Sequence, residues 1–353
     1  QRMAEPSWIP NDPTDVEVWY DYLKNDTFKT VFVPLPLKTT LALLNHHGKR
    51  TTDEEKKILN VLSSNIDKAI HSFKNKAAFI RLSTISPKDA VKQMHTKLMT
   101  ILEDELESVP KGDEPGEIVA INRAVYKACK VNSGYEALEL FRLSDRVAKH
   151  LKHRTDGVSE DKWNMNIVVR EWNEILPEFE FRAYVKDKKM SALSHYYKSL
   201  YVKEIVTCKD EIEDMITKYF SSKIVGLVPL KDYIIDFVVD LKTKSVRVIE
   251  LNPWSEASSA CLFSWEDDED VLFGKKPFEF RVMKNPKKDA LEYISTPLRY
   301  MVYIFRPRDD AGRVKKLVDL TQNLFGKITK KLTYKYKPLF SNTTSSYTLA
   351  SSI

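Results

Sequence analysis

The feature that most constrains the fold is the stretch 232–265, DYIIDFVVDLKTKSVRVIELNPWSEASSACLFSW. Segments 233–241 and 245–251 are rich in Ile, Val and Phe, and the polar Lys242-Thr243-Lys244 between them suits a tight turn, so a β-hairpin is expected. Side chains alternate between the faces of a strand, so Glu250 and Asn252 point the same way and Asp236, on the preceding strand, can face them. Two carboxylates and an amide carbonyl meeting at one spot suit a hard cation such as Mg²⁺, which takes few protein ligands and fills its shell with phosphates and water. An edge hairpin with a merely solvated polar face would show the same residues.

The order IIDFVVD, VIELNPW, CLFSW resembles the ATP-grasp proteins of the cell division cycle protein 123 family. Their pattern is an Asp-bearing strand, an acidic-hydrophobic-Asn-Pro-aromatic strand end, and a Leu-Phe-Ser/Thr-Trp segment. The likeness covers 31–263 and is strongest from Ile167 onward. It implies an α+β, ATP-grasp fold in which two α+β lobes clasp ATP between antiparallel sheets. It also implies Mg-dependent use of ATP, with Asp236, Glu250 and Asn252 on the metal, and Arg81, Arg182 and Asp236 as the catalytic set. NIVVREW (166–172) and EFEFRAYV (178–185) resemble two further family segments. On that likeness Val169, Arg170, Glu171 and Trp172 form the hinge beside the adenine, and Arg182 binds phosphate. Arg170 could serve nucleotide or substrate.

Arg81 is a cation amid apolar neighbours in AAFIRL (77–82), where the family usually has Lys, and Pro87-Lys88-Asp89-Ala90 follows as the family's Pro-basic-Asp-Ala run does. The resemblance makes Arg81 a phosphate ligand; Arg keeps the charge and adds a bidentate fork. Only nine glycines are available and no GxxxxGK[ST] or GxGxxG occurs, so phosphates would be held by cations and metal rather than by a backbone cradle. Arg154-Thr155-Asp156-Gly157 has Arg where covalent nucleotidyltransferases need a nucleophilic Lys, which excludes a lysyl-nucleotide mechanism.

Along the chain, strands are expected at 30–36, 77–82, 166–172, 178–185, 189–197 and 278–283, with 166–172, 178–185 and 189–197 forming one antiparallel run. Helices are expected at 53–73, 94–109, 117–131, 133–151 and 209–220, and a further one opening at Ser86-Pro87 with Ser as cap. His46-His47-Gly48 reads as a turn, His150 as a solvated helix end, 266–270 as a solvated acidic turn, and Trp8 and Trp19 as anchors. The layout is an N-terminal α+β lobe at 1–165 with the phosphate-binding strand and an ATP-grasp lobe at 166–270 with hinge and metal hairpin. A basic aromatic-rich region at 271–340 and a mobile tail at 341–353 follow.

With 42% hydrophobic and 30% charged residues among 353, the chain reads as an ordinary globular one, and it has no apolar run long enough to span a membrane. Three scattered cysteines and the absence of an apolar leader core point to a reducing, cytoplasmic setting. The net charge of +6 is uneven, since 271–340 holds 17 Lys or Arg against 6 Asp or Glu. Such a basic end suits a polyanion: nucleic acid (RNA) or an acidic protein surface such as a translation initiation factor subunit. These features favour an ATP-dependent ligase joining RNA ends through an activated phosphate. The alternative, implied by the family, is an assembly chaperone for the translation initiation factor two heterotrimer.

Overall fold

The computed structural model describes residues 12–294 and 296–305, and its eight strands fall into two sheets. β1 (Thr30–Pro34), β2 (Ala78–Leu82) and β3 (Asn166–Glu171) pair antiparallel in the order β1-β3-β2. β4 (Glu180–Lys186), β5 (Lys189–His195), β6 (Tyr233–Asp240), β7 (Ser245–Asn252) and β8 (Glu279–Arg281) form the second sheet, in the order β7-β6-β4-β5-β8. Only the β5–β8 pair is parallel. The fold class is therefore α+β, with one antiparallel and one mixed sheet. β1 ends at Pro34 and lies at an edge, where a missing N–H does no harm.

The expected single run of 166–172, 178–185 and 189–197 is corrected: β3 is the centre of the first sheet, and only β4 and β5 pair with each other. The reason lies in the burial of β3 on both faces. Ile167 and Val169 enter one core and Val168 the other, so its apolar run carries no clue to its partners.

The helices are α1 (Val16–Leu23), α2 (Leu37–His47), α3 (Asp53–His71), α4 (His95–Glu107), α5 (Glu114–Ala128), α6 (Gly134–Leu143), α7 (Asp145–Thr155), α8 (Lys203–Thr207), α9 (Lys209–Tyr219), α10 (Glu269–Leu272) and α11 (Thr296–Phe305). α3 opens with a capping box between Thr52 and Glu55 and buries Leu59, Leu62, Ile66 and Ile70 on one face. Helices α2–α7 pack with the first sheet around one core, while α1 and α9 cover the second sheet's apolar face, where Trp19 is sealed. A third, smaller cluster joins Tyr184, Ile234, Phe263 and Leu272, with Trp254 and Trp265 packed against it.

Four local expectations change. Helix 133–151 is two helices, because Ser144 turns extended to cap Val147 N–H. His46 and His47 end α2 rather than form a turn. Residues 88–93 make a 3₁₀ turn whose N-terminal flank, Pro87, offers no side-chain cap. In the acidic loop, Asp268 is engaged by Arg281 through both oxygens, at 2.7 and 2.8 Å. Among the described residues no helix is long and apolar enough to cross a membrane. The basic region is described to residue 305; its remainder, the tail and Trp8 lie outside the described residues.

Candidate functional site

Between the two sheets lies a cavity of about 230 Å³, walled by Arg81 of β2, Arg170 of β3, Glu180 of β4, Glu250 of β7, Tyr126 of α5, and Lys88. Strand alternation supplies its charges. On β4, Phe181, Ala183 and Val185 enter the second core, which sends Glu180 and Arg182 to the opposite face. On β6, Asp236 emerges between Ile235 and Phe237 of that same core. β7 carries a bulge: Asp236 pairs with Glu250 and Phe237 with Val248, leaving Ile249 as the extra residue. The bulge sets Glu250 directly opposite Asp236. It also frees the Ile249 carbonyl, which accepts from Arg170 Nη1 at 2.6 Å.

The cations and anions are interlocked. Arg182 grips Asp236 with Nε and Nη2 at 2.8 and 2.7 Å, donates Nη1 to the Ser259 carbonyl at 2.9 Å, and lies 5.0 Å over the Tyr196 ring. Asn252 Nδ2 donates to the same Asp236 Oδ2 at 3.0 Å. Arg81 forms an ion pair with Glu250 and donates Nε to the Leu82 carbonyl at 3.1 Å. Arg170 donates Nη2 to Thr27 Oγ1 at 2.5 Å and packs over Phe28 and Trp19. Its buried Nε has no partner among the described residues.

Burial and neighbours divide the three carboxyls. Burial would raise Glu250, but Arg81 and Lys88 outweigh it and hold the group at about 2. Burial pushes Glu180 up to about 7; Lys88 pulls the other way, while Asp236 and Glu250 add to the rise. Burial likewise pushes Asp236 up, opposed by the Arg182 fork. Burial, and then Arg81, lower Arg170 to about 10.

The structure brings Arg81, Arg170, Arg182, Asp236, Glu250 and Asn252 together. Glu171 stands at the rim, where its Oε1 accepts from Lys74 N–H at 3.2 Å. Val169 points into the first core, and Trp172 stacks on Tyr126 at 4.6 Å with its Nε1 on Glu174. The sequence reading missed Lys88, Tyr126, Tyr196 and Tyr197 as lining residues and gave Glu180 no role of its own. A signal for Lys88 existed. Its neighbour Asp89 accepts from Ser144 Oγ at 2.5 Å and from Arg146 N–H at 3.0 Å, which fixes the turn that carries Lys88.

The donor set bears on which ligands fit. Among the described residues no three His, Cys, Asp or Glu side chains cluster as a metal cage. Asp236 and Glu250 with the Asn252 amide fit a divalent cation that takes most of its ligands from elsewhere. The orphaned Arg170 Nε, and a Lys88 with no hydrogen-bond partner among the described residues, fit an anion beside it.

A family model, D123, matches residues 121–301. A translation initiation factor eIF2 assembly protein of Vanderwaltozyma polyspora is 28% identical over 44% of this chain and 45% of its own length. One of the same name from Danio rerio is 28% identical over 41% of this chain and 42% of its own length. The chain thus spans less than half of these curated relatives. The structure of Cdc123 from Schizosaccharomyces pombe superposes with a TM-score of 0.55 at 21% identity, covering 76% of this chain and 94% of that one, and shares the fold. The relatives' names correct one expectation. They speak of assembling an initiation factor, not of joining RNA ends, and so overturn the ligase reading and with it the enzyme class.

Proposed function

Because the chain belongs to the D123 family, we propose that it is an assembly protein for translation initiation factor eIF2, holding a subunit of that factor while its cleft is loaded with ATP and Mg²⁺. The observation that carries this reading is a coincidence of place. The segment matched by the family, 121–301, contains Arg170, Glu171, Glu180 and Glu250, four of the six charged residues that line the cavity, together with the linked Arg182, Asp236 and Asn252. In this reading the two sheets are the halves of an ATP-grasp cleft. Arg81, Lys88 and Arg182 face phosphates, Asp236, Glu250 and Asn252 hold Mg²⁺, and the strand from Val169 to Trp172 borders the adenine. Bound ATP and Mg²⁺ supply charge that ties one sheet to the other, and no turnover is required. The partner is a subunit of eIF2, and exposed Lys284 and Lys288 offer positive charge to an acidic face of it.

Reconstitution tests the proposal. Purified eIF2 subunits are mixed with the protein, with or without ATP and Mg²⁺, and trimer yield is read by size-exclusion chromatography. The protein is expected to raise yield when ATP and Mg²⁺ are present, and Arg81→Ala and Asp236→Ala to lose that effect. Asp236→Ala also leaves Arg182 buried without its partner, which costs about 3–5 kcal/mol, so its folding is checked in parallel. A wild-type protein that captures no eIF2 subunit and leaves trimer yield unchanged refutes the assembly role.

A further inference from the structure

We infer that α7 is a docking face whose exposed cations receive an acidic helical segment of the partner subunit, beside the cleft. This rests on the assembly reading above and assigns a surface to it. α7 buries Val147 and Leu151 in the first core and turns Arg146, Lys149, Lys152 and His153 to solvent. Its four Lys or Arg stand against a single Asp. That carboxylate, Asp145, opens the helix and faces His47 Nε2 at 3.6 Å. Other helices neutralise lysines from within: Lys56 meets Asp53 at 2.8 Å on α3, and Lys218 meets Asp214 at 2.7 Å on α9. On α7 the side chains of Arg146, Lys149 and Lys152 have no ion pair or hydrogen bond among the described residues. Helix stability does not account for Arg146, which sits in the first turn, where the helix dipole disfavours a cation.

The positive field registers on a neighbour. His150 shares a hydrogen bond with Thr84 Oγ1 at 2.6 Å; burial lowers its pKa, and Arg154, His153 and Arg146 lower it further, to about 4. The face also adjoins the cleft. Asp89 Oδ2 accepts from Arg146 N–H at 3.0 Å and Gln93 Nε2 donates to the Leu143 carbonyl at 2.8 Å, so the turn 88–93 lies against the joint of α6 and α7. That turn sends Lys88 into the cavity and leaves Lys92 exposed and unpaired among the described residues. Spacing and length point to the occupant. Arg146, Lys149 and His153 recur at three and four residues, as carboxylates recur along one face of an acidic helix. They span about 10 Å, or two turns. A nucleic-acid strand would place only about three phosphates on that length, and its affinity grows with the number neutralised. α7 also has no Phe, Tyr or Trp on which a base could stack. Two turns of an acidic helix fit better.

The experiment immobilises purified eIF2 subunits one at a time and reads binding of the full chain by biolayer interferometry, at about 50 and about 300 mM NaCl. Wild type is compared with a face variant, Arg146→Glu with Lys149→Glu and Lys152→Glu. A control variant, Lys56→Glu with Lys218→Glu and Lys244→Glu, reverses three lysines that have acidic partners elsewhere. Wild type is expected to bind one subunit, and less tightly at the higher salt. The face variant is expected to bind it about tenfold or more weakly at low salt and to lose most of the salt dependence. The control is expected to bind as wild type does. Equal binding by the face variant and wild type overturns the docking face and leaves the assembly reading standing. So does wild-type binding that salt does not weaken, even if the face variant proves unstable. A face variant that keeps the subunit but loses a short oligouridylate overturns it in favour of nucleic acid. A wild type that binds no subunit overturns the assembly reading and this face with it.

Discussion

Glu180 has almost no access to solvent, shares its cavity with Glu250, and feels the charge of the buried Asp236 as well. Its raised pKa makes folding pH-dependent. The folded chain holds the Glu180 proton up to about pH 7, whereas an unfolded chain releases it near its ordinary 4.5. The stabilisation is therefore complete below about 4.5 and is lost as pH rises through 7, an effect of roughly 3 kcal/mol. Two groups act in the opposite direction. Glu250, held low, and His195, whose burial lowers it to about 4, lose stability as pH falls. A comparison of wild type with Glu180→Gln cancels both. In urea melts from pH 5 to 8, the advantage of the Gln variant is expected to grow with pH, and a constant difference would refute the assignment. At this scale the sequence was informative about which side chains share one face of the second sheet, because a two-residue period does that for Arg182, Asp236, Glu250 and Asn252. It was silent on their partners. Arg81 meets Glu250 across 169 positions of chain, and no periodicity encodes such a contact.

The meeting of α3 and α6 shows what elements add. Gly134, the first residue of α6, lies so close to α3 that an added Cβ would overlap the Ser63 carbonyl, and its N–H donates to Asp67 Oδ1 at 2.7 Å. Two effects of Gly134→Ala oppose each other. Alanine favours helix by about 1 kcal/mol over glycine. Overlap with backbone, which cannot swing aside as a flexible side chain could, costs about 1–3 kcal/mol. The second is expected to win, giving a net loss of up to about 2 kcal/mol, and a denaturant midpoint at or above wild type would show that α3 yields. The split at Ser144 belongs to the same scale. Residues 133–151 keep their apolar spacing through the break because α6 and α7 both face the first core, so periodicity alone reads them as one helix. Only the serine cap marks the boundary.

For the molecule as a whole, the polar contacts between the two sheets converge on one strand. β7 receives Arg81 from β2 and Arg170 from β3, and its Val248 carbonyl accepts from Thr27 Oγ1 at 2.7 Å. A ligand that draws the sheets together is thus expected to slow amide hydrogen exchange in β7 and in β2 and β3 at once, when ATP and Mg²⁺ are added. Protection confined to one sheet would contradict that coupling. The hairpin and most strands were legible in the sequence, while the placement of β3 in the first sheet was not, for a strand buried on both faces looks alike whichever neighbours it takes.

The Thr27–Val248 bond also bears on how the chain is made. It links residues 221 positions apart, and Val248 N–H donates back to the Asp26 carbonyl at 2.9 Å. A ribosome adds about 5–20 residues per second, so the segment around Thr27 waits roughly 10–40 s for its partner strand to emerge. Until then neither the early strands nor Arg81 have the far wall of the cleft, and the cavity between the sheets does not exist. The far wall of the cleft is set by the last strand of the hairpin, which makes the emergence of that strand the first checkpoint on this fold.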